Sequence, residues 1–557
     1  MSVKLFSFLC VVGTAVSLAT NTGGSQRSCR ALPGDAAWPS ASDWATLNKT
    51  INGHLITTIP EASVCHDIPF RDYNAEACAL LQSTWDIATI THINSLAEIL
   101  NQNFQNYSCV PFTDASRPCE LGNYPSYVVN VTEAGDVQGA LAFAQKHNVR
   151  IIIKNTGHDY LGKSTGKRSL SLWTHNLKNK EYIPNYKASY YQGPAAKLGA
   201  GIEGFEAYAL ANSTGHRIVG GTCPTVGIVV GYTQGGGHSI LSSSYGVAAD
   251  NVLEWEVVTV DGRHLTATPT QNADLYWALS GGGGGTTFGV VLSMTARLHI
   301  DGIVGGTLLS FNDSTVGSEA YWNAVGSFHA LLPAFLDGGN SFTYSVGNTS
   351  LTAYGTMPGA NATEINRLLS PFLEELASRN ITPIYEPQVA PNYYEHFFTY
   401  LGPAPYETNA VVTDFFRNIS QLEVFAPFYC DSFNVANNSH PDNSLHPAWC
   451  TGMLLCAPAA AWDWHATPEE MAERDEYAAK VLQPMMDAAT PGGMVYLNEA
   501  NHLYEDWKEN FYGDKYDRLL GVKRKYDPGD VLYVKTGVGS EGWAENAEGR
   551  LMSGLDL

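Results

Sequence analysis

A single imidazole, His158, stands in the small and polar stretch Lys154-Asn155-Thr156-Gly157-His158-Asp159-Tyr160-Leu161-Gly162-Lys163-Ser164. The stretch follows the apolar run 149–153, so it begins where a buried strand gives way to irregular backbone, which is where α/β folds place ligands. Two glycines let the backbone approach something bulky. The Asn, Thr and Ser side chains and the main-chain N–H groups can satisfy an anion such as a pyrophosphate. Taken alone, the stretch reads equally well as a structural turn. The second reactive side chain is Cys223, in the glycine-rich stretch 220–238 that runs from Gly220-Gly221-Thr222-Cys223-Pro224-Thr225-Val226-Gly227 to Gly235-Gly236-Gly237-His238. So many glycines inside a core region imply backbone pressed against a flat or extended ligand, with bulged turns as the structural alternative.

Cysteine parity isolates the same thiol. Of 10 cysteines, Cys10 leaves with an expected signal peptide, residues 1–19, read from Lys4, an apolar run and the small-residue pattern Ser17-Leu18-Ala19. Cys29, Cys65, Cys78, Cys109, Cys119, Cys223, Cys430, Cys450 and Cys456 remain, an odd set that leaves one thiol outside a disulfide framework in an oxidising compartment. Cys223 lies alone in the glycine-rich region and is the one taken out of that framework. The late group has three members, so at least one bridge is expected to join distant parts of the chain; the pairing is not legible.

Sequons at Asn48, Asn106, Asn130, Asn212, Asn312, Asn348, Asn361, Asn380, Asn418 and Asn437 fit a secreted, extracellular glycoprotein. A net charge of −22 argues against nucleic acid and anionic membrane as partners, and the apolar run of the signal peptide is too short to span a bilayer. No metal site is read from the sequence, and a monomer is expected.

Around these residues the pattern is regular. A strand at 127–131, a helix carrying Val137, Ala140, Leu141 and Ala144 on one face, and a strand at 149–153 form a βαβ unit that ends at the His158 stretch. An alternating segment follows at 169–173, then a short helix within 201–211 and a strand at 217–219. A strand at 251–259 turns at Asp261-Gly262 into a hairpin, and 272–279 reads as a short helix. From about residue 301 aromatic-rich alternating segments and amphipathic helices, with Tyr321-Trp322, Tyr393-Tyr394 and His396-Phe397-Phe398, predict an antiparallel sheet with covering helices; most of these aromatics are expected in the core, and a groove lined by several suits a substrate.

Separated motifs together resemble the vanillyl-alcohol-oxidase superfamily, and within it the berberine-bridge-enzyme-like FAD-linked oxidoreductases. They are the 154–164 stretch; Cys223-Pro224-Thr225-Val226-Gly227 with Gly235-Gly236-Gly237 and Tyr245-Gly246-Val247-Ala248-Ala249-Asp250-Asn251-Val252; Asp274-Leu275-Tyr276-Trp277 with Phe288-Gly289-Val290-Val291; and Tyr512-Gly513-Asp514-Lys515 with Lys523-Arg524-Lys525-Tyr526-Asp527-Pro528. The resemblance implies an α+β, two-domain fold of the vanillyl-alcohol-oxidase/PCMH type. Its expected parts are a disulfide-rich N-terminal segment (20–120), an FAD-binding domain (121–300), a substrate domain (301–490) of antiparallel sheet covered by helices, and a C-terminal segment (491–557) returning to the FAD domain.

The resemblance also implies bicovalent FAD, with His158 bonded to the 8α-methyl carbon and Cys223 to C6. Lys154, Asn155, Thr156, Gly157, Asp159 and Ser164 would line the pyrophosphate and flavin side, with Pro224, Thr225 and Gly227 beside Cys223. Gly235, Gly236, Gly237, His238, Asn251, Val252, Gly289 and Val290 would contact the rest of the dinucleotide. Tyr496 is the expected proton acceptor, and Asn498 would orient substrate or ring. The activity implied is hydride transfer from an alcohol carbon of a bulky substrate, an oligosaccharide or secondary metabolite, with molecular oxygen as oxidant. The alternatives are a dehydrogenase or oxidative cyclase using another acceptor, and a secreted binding protein without turnover. The chain departs from its relatives at Val230-Gly231, where they carry Gly-Gly, and at Asn501 and Lys515, where they carry an acid and an asparagine.

Overall fold

The computed structural model describes residues 29–85, 87, 91–283, 285–400, 428–458, 462–546 and 548–553. The expected signal peptide and the sequon at Asn418 lie outside them. The first sheet holds β1 (Leu55–Thr57), β2 (Tyr127–Asn130), β3 (Ile151–Lys154) and β4 (Leu170–Trp173) in the order β1-β2-β4-β3. The helix Ala134–His147 connects β2 to β3, yet the two are not neighbours, because β4 lies between them and is parallel to both. The helix buries Val137, Ala140, Leu141 and Ala144 against Val129, Ile151 and Leu170, and Asn148 ends it in the left-handed region at φ 52°. Fully burying a side chain such as Leu141 contributes about 1.5–3 kcal/mol, so this one face is enough to seat the helix that delivers the chain to β3.

A second, wholly antiparallel sheet has the order β5-β6-β10-β8-β9, from β5 (Lys180–Lys187), β6 (Gln192–Gly199), β8 (Val252–Val258), β9 (His264–Ala267) and β10 (Val290–Arg297). A ribbon of β7 (His216–Arg217) and β11 (His299–Ile300) flanks it. The third sheet, order β15-β12-β14-β13-β16-β17, is built from β12 (Val304–Asn312), β13 (Ser341–Val346), β14 (Ser350–Pro358), β15 (Ile384–Ala390), β16 (Phe428–Ser432) and β17 (Leu454–Pro458). Helices Ser318–Asp337 and Ala362–Ser378 cover it, burying Tyr321, Trp322, Phe328 and Phe372 against Phe342 and Tyr344. Tyr321 and Trp322 are therefore core. So are Tyr393, His396 and Phe397 of the helix Tyr393–Tyr400; Tyr393 and Phe397 pack against Tyr208.

The chain then returns to its beginning. Lys523 and Asp527 form a buried ion pair at 2.5 Å, Asp527 accepts the N–H groups of Val531 and Leu532 at 2.9 and 2.8 Å, and Leu532 makes a parallel bridge to Ile151 of β3. The last ribbon, β18 (Trp543–Glu545) and β19 (Leu551–Ser553), lies beside Cys29, which bridges to Met552.

The disulfides correct the sequence reading. Cys65–Cys78, Cys109–Cys119 and Cys430–Cys456 close loops of 13, 10 and 26 residues, and none joins the two cysteine groups. Cys430 and Cys456 face each other in register across β16 and β17, which leaves Cys450 on the intervening turn as a free thiol. Cys29, Cys223 and Cys450 are all free, so location, and not parity, distinguishes Cys223.

Candidate active site

His158 and Cys223 come from loops far apart in the chain and meet at one hydroxyl. His158 Nε2 lies 2.9 Å from Thr225 Oγ1, and Cys223 Sγ lies 3.5 Å from the same oxygen. Burial, and then the nearby charges of Lys154 and His92, hold the His158 pKa down at about 4, so the ring is neutral near neutral pH. The loop that carries Cys223 is fixed from below. Gly204 and Phe205, at the start of the helix Gly204–Ser213, donate their N–H groups to the carbonyls of Val226 (3.0 Å) and Pro224 (2.9 Å). Gly227 is a glycine for a steric reason: a Cβ there would lie 2.6 Å from Asn155 Oδ1 and close to Thr156.

The His158 loop is organised from within. Asp159 accepts the N–H groups of Leu161 (3.1 Å), Lys163 (2.6 Å) and Ser164 (2.9 Å), so those donors are already satisfied by the loop's own carboxylate. This corrects the expectation that they serve a bound anion. Lys154 is also spent: its buried ammonium donates to the carbonyl of Ser95 at 2.7 Å, and burial lowers its pKa to about 7. Lys154 therefore ties down the preceding segment, where Leu100 N–H donates to the Gly157 carbonyl at 3.0 Å. Gly157 itself sits at φ 86°, where a side chain is strained.

The group left over is Lys163, which the sequence reading did not assign. Its ammonium is buried and has no hydrogen-bond partner among the described residues, and burial lowers its pKa to about 8. The Oδ1 of Asn155 is a second buried atom without a partner; its Nδ2 donates to Ala200 O at 2.5 Å. A buried, unpaired ammonium beside a glycine-bounded loop fits the phosphates of a dinucleotide, and it is the chemical test that FAD passes here.

A second cluster gathers side chains from three segments. Asn498 Nδ2 donates to the Tyr496 hydroxyl at 2.8 Å and to the Gly231 carbonyl at 2.9 Å, and a Cβ on Gly235 would collide with that amide. Gly231 belongs to the π-helical turn Ile228–Tyr232, and Val230 of the same turn packs into the core. His238 is not a free contact for the dinucleotide: its Nδ1 is 2.7 Å from Asp431 of β16 and its Nε2 is 2.9 Å from Glu499. Burial alone would lower the His238 pKa, but Glu499 and Asp431 together raise it to about 10, so a buried imidazolium lies between two carboxylates. The Tyr496 ring stands edge-on to His238 at 5.3 Å and edge-on to Trp449 at 5.3 Å, and Phe433 stacks on both His238 and Trp449. Burial, and then Glu499, push the Tyr496 phenol above its ordinary range.

Other predicted contacts have structural partners. Asn251 donates to the carbonyls of Tyr245 (3.0 Å) and Val247 (2.9 Å), and its Oδ1 is 2.8 Å from His299 Nε2, which uses its polar atoms without a ligand. Val252 opens β8, and its carbonyl accepts the Tyr276 hydroxyl at 2.8 Å. Gly289 lets β10 approach β8, since its Cβ would lie 2.7 Å from Val257, and Val290 is buried in the core beneath. Gly236 and Gly237, at φ 118° and 76°, turn the backbone against Trp449 and Tyr232. Asn501 donates to Asp475 at 2.6 Å, and Lys515 pairs with Asp514 at 3.2 Å. Sequence reasoning missed Asp431, Glu499, Phe433 and Trp449. Only Glu499 had a signal, its place directly after Tyr496-Leu497-Asn498.

With fold and site in hand, the chain belongs to the berberine-bridge-like, vanillyl-alcohol-oxidase-type FAD-linked oxidoreductases. The FAD binding domain family matches residues 125–268, and the berberine and berberine-like family matches residues 495–539. The chain is 73% identical over 573 residues to the VAO-type flavoprotein oxidase VAO615 of Thermothelomyces thermophilus, covering 99% of this chain and 100% of the relative. The crystal structure of VAO-type flavoprotein MtVAO615 from Myceliophthora thermophila C1 superposes with a TM-score of 0.92 at 74% identity, over 95% of this chain and 100% of that one. The bifunctional decalin synthase calF of Penicillium decumbens is 44% identical over 549 residues, 94% of this chain and 95% of the relative. The glucooligosaccharide oxidase of Acremonium strictum, described with a 6-S-cysteinyl, 8α-N1-histidyl FAD, shares the fold at a TM-score of 0.60 and 17% identity, over 75% of this chain and 92% of that one.

Proposed function

We propose that this chain is a secreted oxidase that holds FAD through His158 and Cys223 and oxidises a hydroxyl of a bulky molecule, an oligosaccharide or secondary metabolite. The observation that carries the reading is the convergence of His158 and Cys223 on Thr225 Oγ1. Bound FAD supplies the hydride acceptor and hands the electrons to molecular oxygen, releasing hydrogen peroxide. The protein supplies the rest. The unpaired Lys163 ammonium would hold the phosphates, and the neutral His158 ring and free Cys223 thiol would hold the flavin edge. Tyr496 takes the proton of the substrate hydroxyl. Because burial keeps this phenol protonated at rest, the Asn498 N–H stabilises the phenolate as the proton leaves the substrate.

A cavity of about 290 Å³ shares Trp449 with this cluster and is lined by Asp250, His440, Asn443, Leu445 and Lys515. One indole face with Asp250, His440, Asn443 and Lys515 around it suits a hydroxyl-rich substrate. Secretion is supported by the sequons and the three disulfides; among the described residues no helix is long and apolar enough to cross a membrane. We read the chain as a monomer, which light scattering of the purified protein tests.

The identity to a decalin synthase favours a second reading, oxidative cyclisation of a biosynthetic intermediate. Peptide mapping by mass spectrometry, followed by anaerobic reduction with a panel of alcohols and admission of air, separates the two. The oxidase reading requires FAD mass on the His158 and Cys223 peptides and stoichiometric peroxide. Covalent FAD without peroxide favours the cyclase, and absence of FAD from both peptides overturns bicovalent attachment.

A further inference from the structure

Among the described residues, Thr225 is the one side chain within hydrogen-bond distance of both candidate attachment points. Its residue is 8% exposed, and its one hydroxyl must serve an imidazole nitrogen and a sulfur at the same time. A hydroxyl has one proton to give and lone pairs to accept with, so only two ordered arrangements link all three groups. A neutral His158 admits both, and they differ in which ring nitrogen keeps the proton. A neutral ring carries one proton. If that proton is on Nε2 it is donated to Thr225 Oγ1, and Thr225 turns its own O–H toward Cys223 Sγ.

This arrangement prepares both nucleophiles together. With the proton held at Nε2, the in-plane lone pair of His158 is at Nδ1, the nitrogen that remains free to form a bond. With the Thr225 O–H directed at sulfur, the thiolate form of Cys223 gains a hydrogen bond, and the thiolate is the nucleophile. A chain of hydrogen bonds running in one direction also polarises each of its members.

We propose that Thr225 is the positioning residue for both covalent attachments, fixing the His158 tautomer with its oxygen and supporting the Cys223 thiolate with its proton. The inference rests on the bicovalent reading above. Each attachment balances in the same way. At His158 a nitrogen–carbon bond forms while an imidazole N–H and one C–H of the 8α-methyl group break. At Cys223 a sulfur–carbon bond forms while the S–H and the C6–H break. In both cases two electrons and two protons pass to the flavin, and dioxygen removes them as hydrogen peroxide, so each bond consumes one dioxygen.

The experiment uses the full chain secreted from a riboflavin-limited host, loaded with added FAD in air. The flavin on the His158 and Cys223 peptides is followed over time by mass spectrometry, as the covalent fraction of bound FAD. Thr225→Val keeps the shape and removes the hydroxyl; Thr225→Ser keeps the hydroxyl. The expected result is that Thr225→Val loads both peptides at least ten-fold more slowly, and that Thr225→Ser loads within about two-fold of the wild type. Alkylation of the unloaded protein at a fixed pH, read on the Cys223 peptide alone, should be slower in Thr225→Val than in the wild type and in Thr225→Ser. Should Thr225→Val fail to accumulate, Thr225→Ala takes its place in both measurements. A bicovalent wild type whose hydroxyl-free variant loads equally fast, with an unchanged alkylation rate at Cys223, overturns the role of Thr225 alone. A wild type with FAD on neither peptide overturns the bicovalent reading and this inference with it.

Discussion

The corner around His158, Thr225 and Cys223 and the cluster around Tyr496 are joined by the same glycine-rich stretch, and they are built on opposite electrostatic plans. In the corner the groups are a neutral imidazole, a hydroxyl and a thiol. In the cluster a buried imidazolium lies between Asp431 and Glu499, edge-on to a phenol. Bond formation to a carbon needs nucleophiles with lone pairs free, which a proton on His158 would block. Moving a proton off a substrate hydroxyl needs donors already fixed on the acceptor, as the Asn498 N–H is on Tyr496, in a place where water does not compete. Burial therefore does different work in the two places: it strips a proton from His158, whereas at His238 two carboxylates outweigh it.

The contrast can be broken by deletion, and the largest effect is expected in the corner. The double variant His158→Ala/Cys223→Ala should release all of its FAD on acid precipitation, while each single variant retains one bond and its flavin. Next in size is Tyr496→Phe, which should slow anaerobic flavin reduction by about 10²–10⁴-fold, the usual range for losing a positioned acid–base group. Stopped-flow absorbance measures it, and an unchanged rate would move the proton acceptor elsewhere.

Charge removal within the cluster sharpens the comparison. Asp431→Asn leaves the buried imidazolium short of a carboxylate and should cost about 3–5 kcal/mol of stability, the range for breaking a buried pair. Glu499→Gln should cost less, because the Glu499 side chain is 38% exposed and Asp431 is 2% exposed. Denaturant unfolding of the two variants gives the ranking. The same ion pairs carry a pH dependence. His238 is raised from 6.5 to about 10 by folding, so its contribution is fully present below pH 6.5 and is lost as the pH rises through about 10. The melting temperature should fall across that window in the wild type and fall less steeply in His238→Gln.

The two regions also differ in how far they could be read from residues alone. His158 and Cys223 each lie in one short stretch with local punctuation, a strand end and a glycine run, and both were legible. The hydroxyl between them was legible as a residue, Thr225, but not as a bridge, because nothing local brings 158 to 225. His238 was read as a ligand contact because its glycines suggested one, and only the arrival of Asp431 from β16 and Glu499 from the C-terminal return makes it an ion-paired imidazolium. Lys154 and Asp159 were read as facing an anion. Each is satisfied within the protein instead, since a buried charge takes whatever partner the fold places nearest. The βαβ unit was legible in its elements but not in its order, since the placement of β4 between β2 and β3 depends on pairing and not on periodicity.

By itself the amino-acid sequence determined the βαβ elements and the family, and singled out His158 and Cys223 as the two residues proposed to hold the flavin, because helix faces, strand ends and glycine-bounded turns are written in neighbouring residues. Which side chains carry charge, which protons are held, and which buried cation stays unpaired were decided only by tertiary structure. Those properties are set by desolvation and by partners within a few ångströms, and here the partners come from segments hundreds of residues apart, as His238 and Glu499 do across 261 positions.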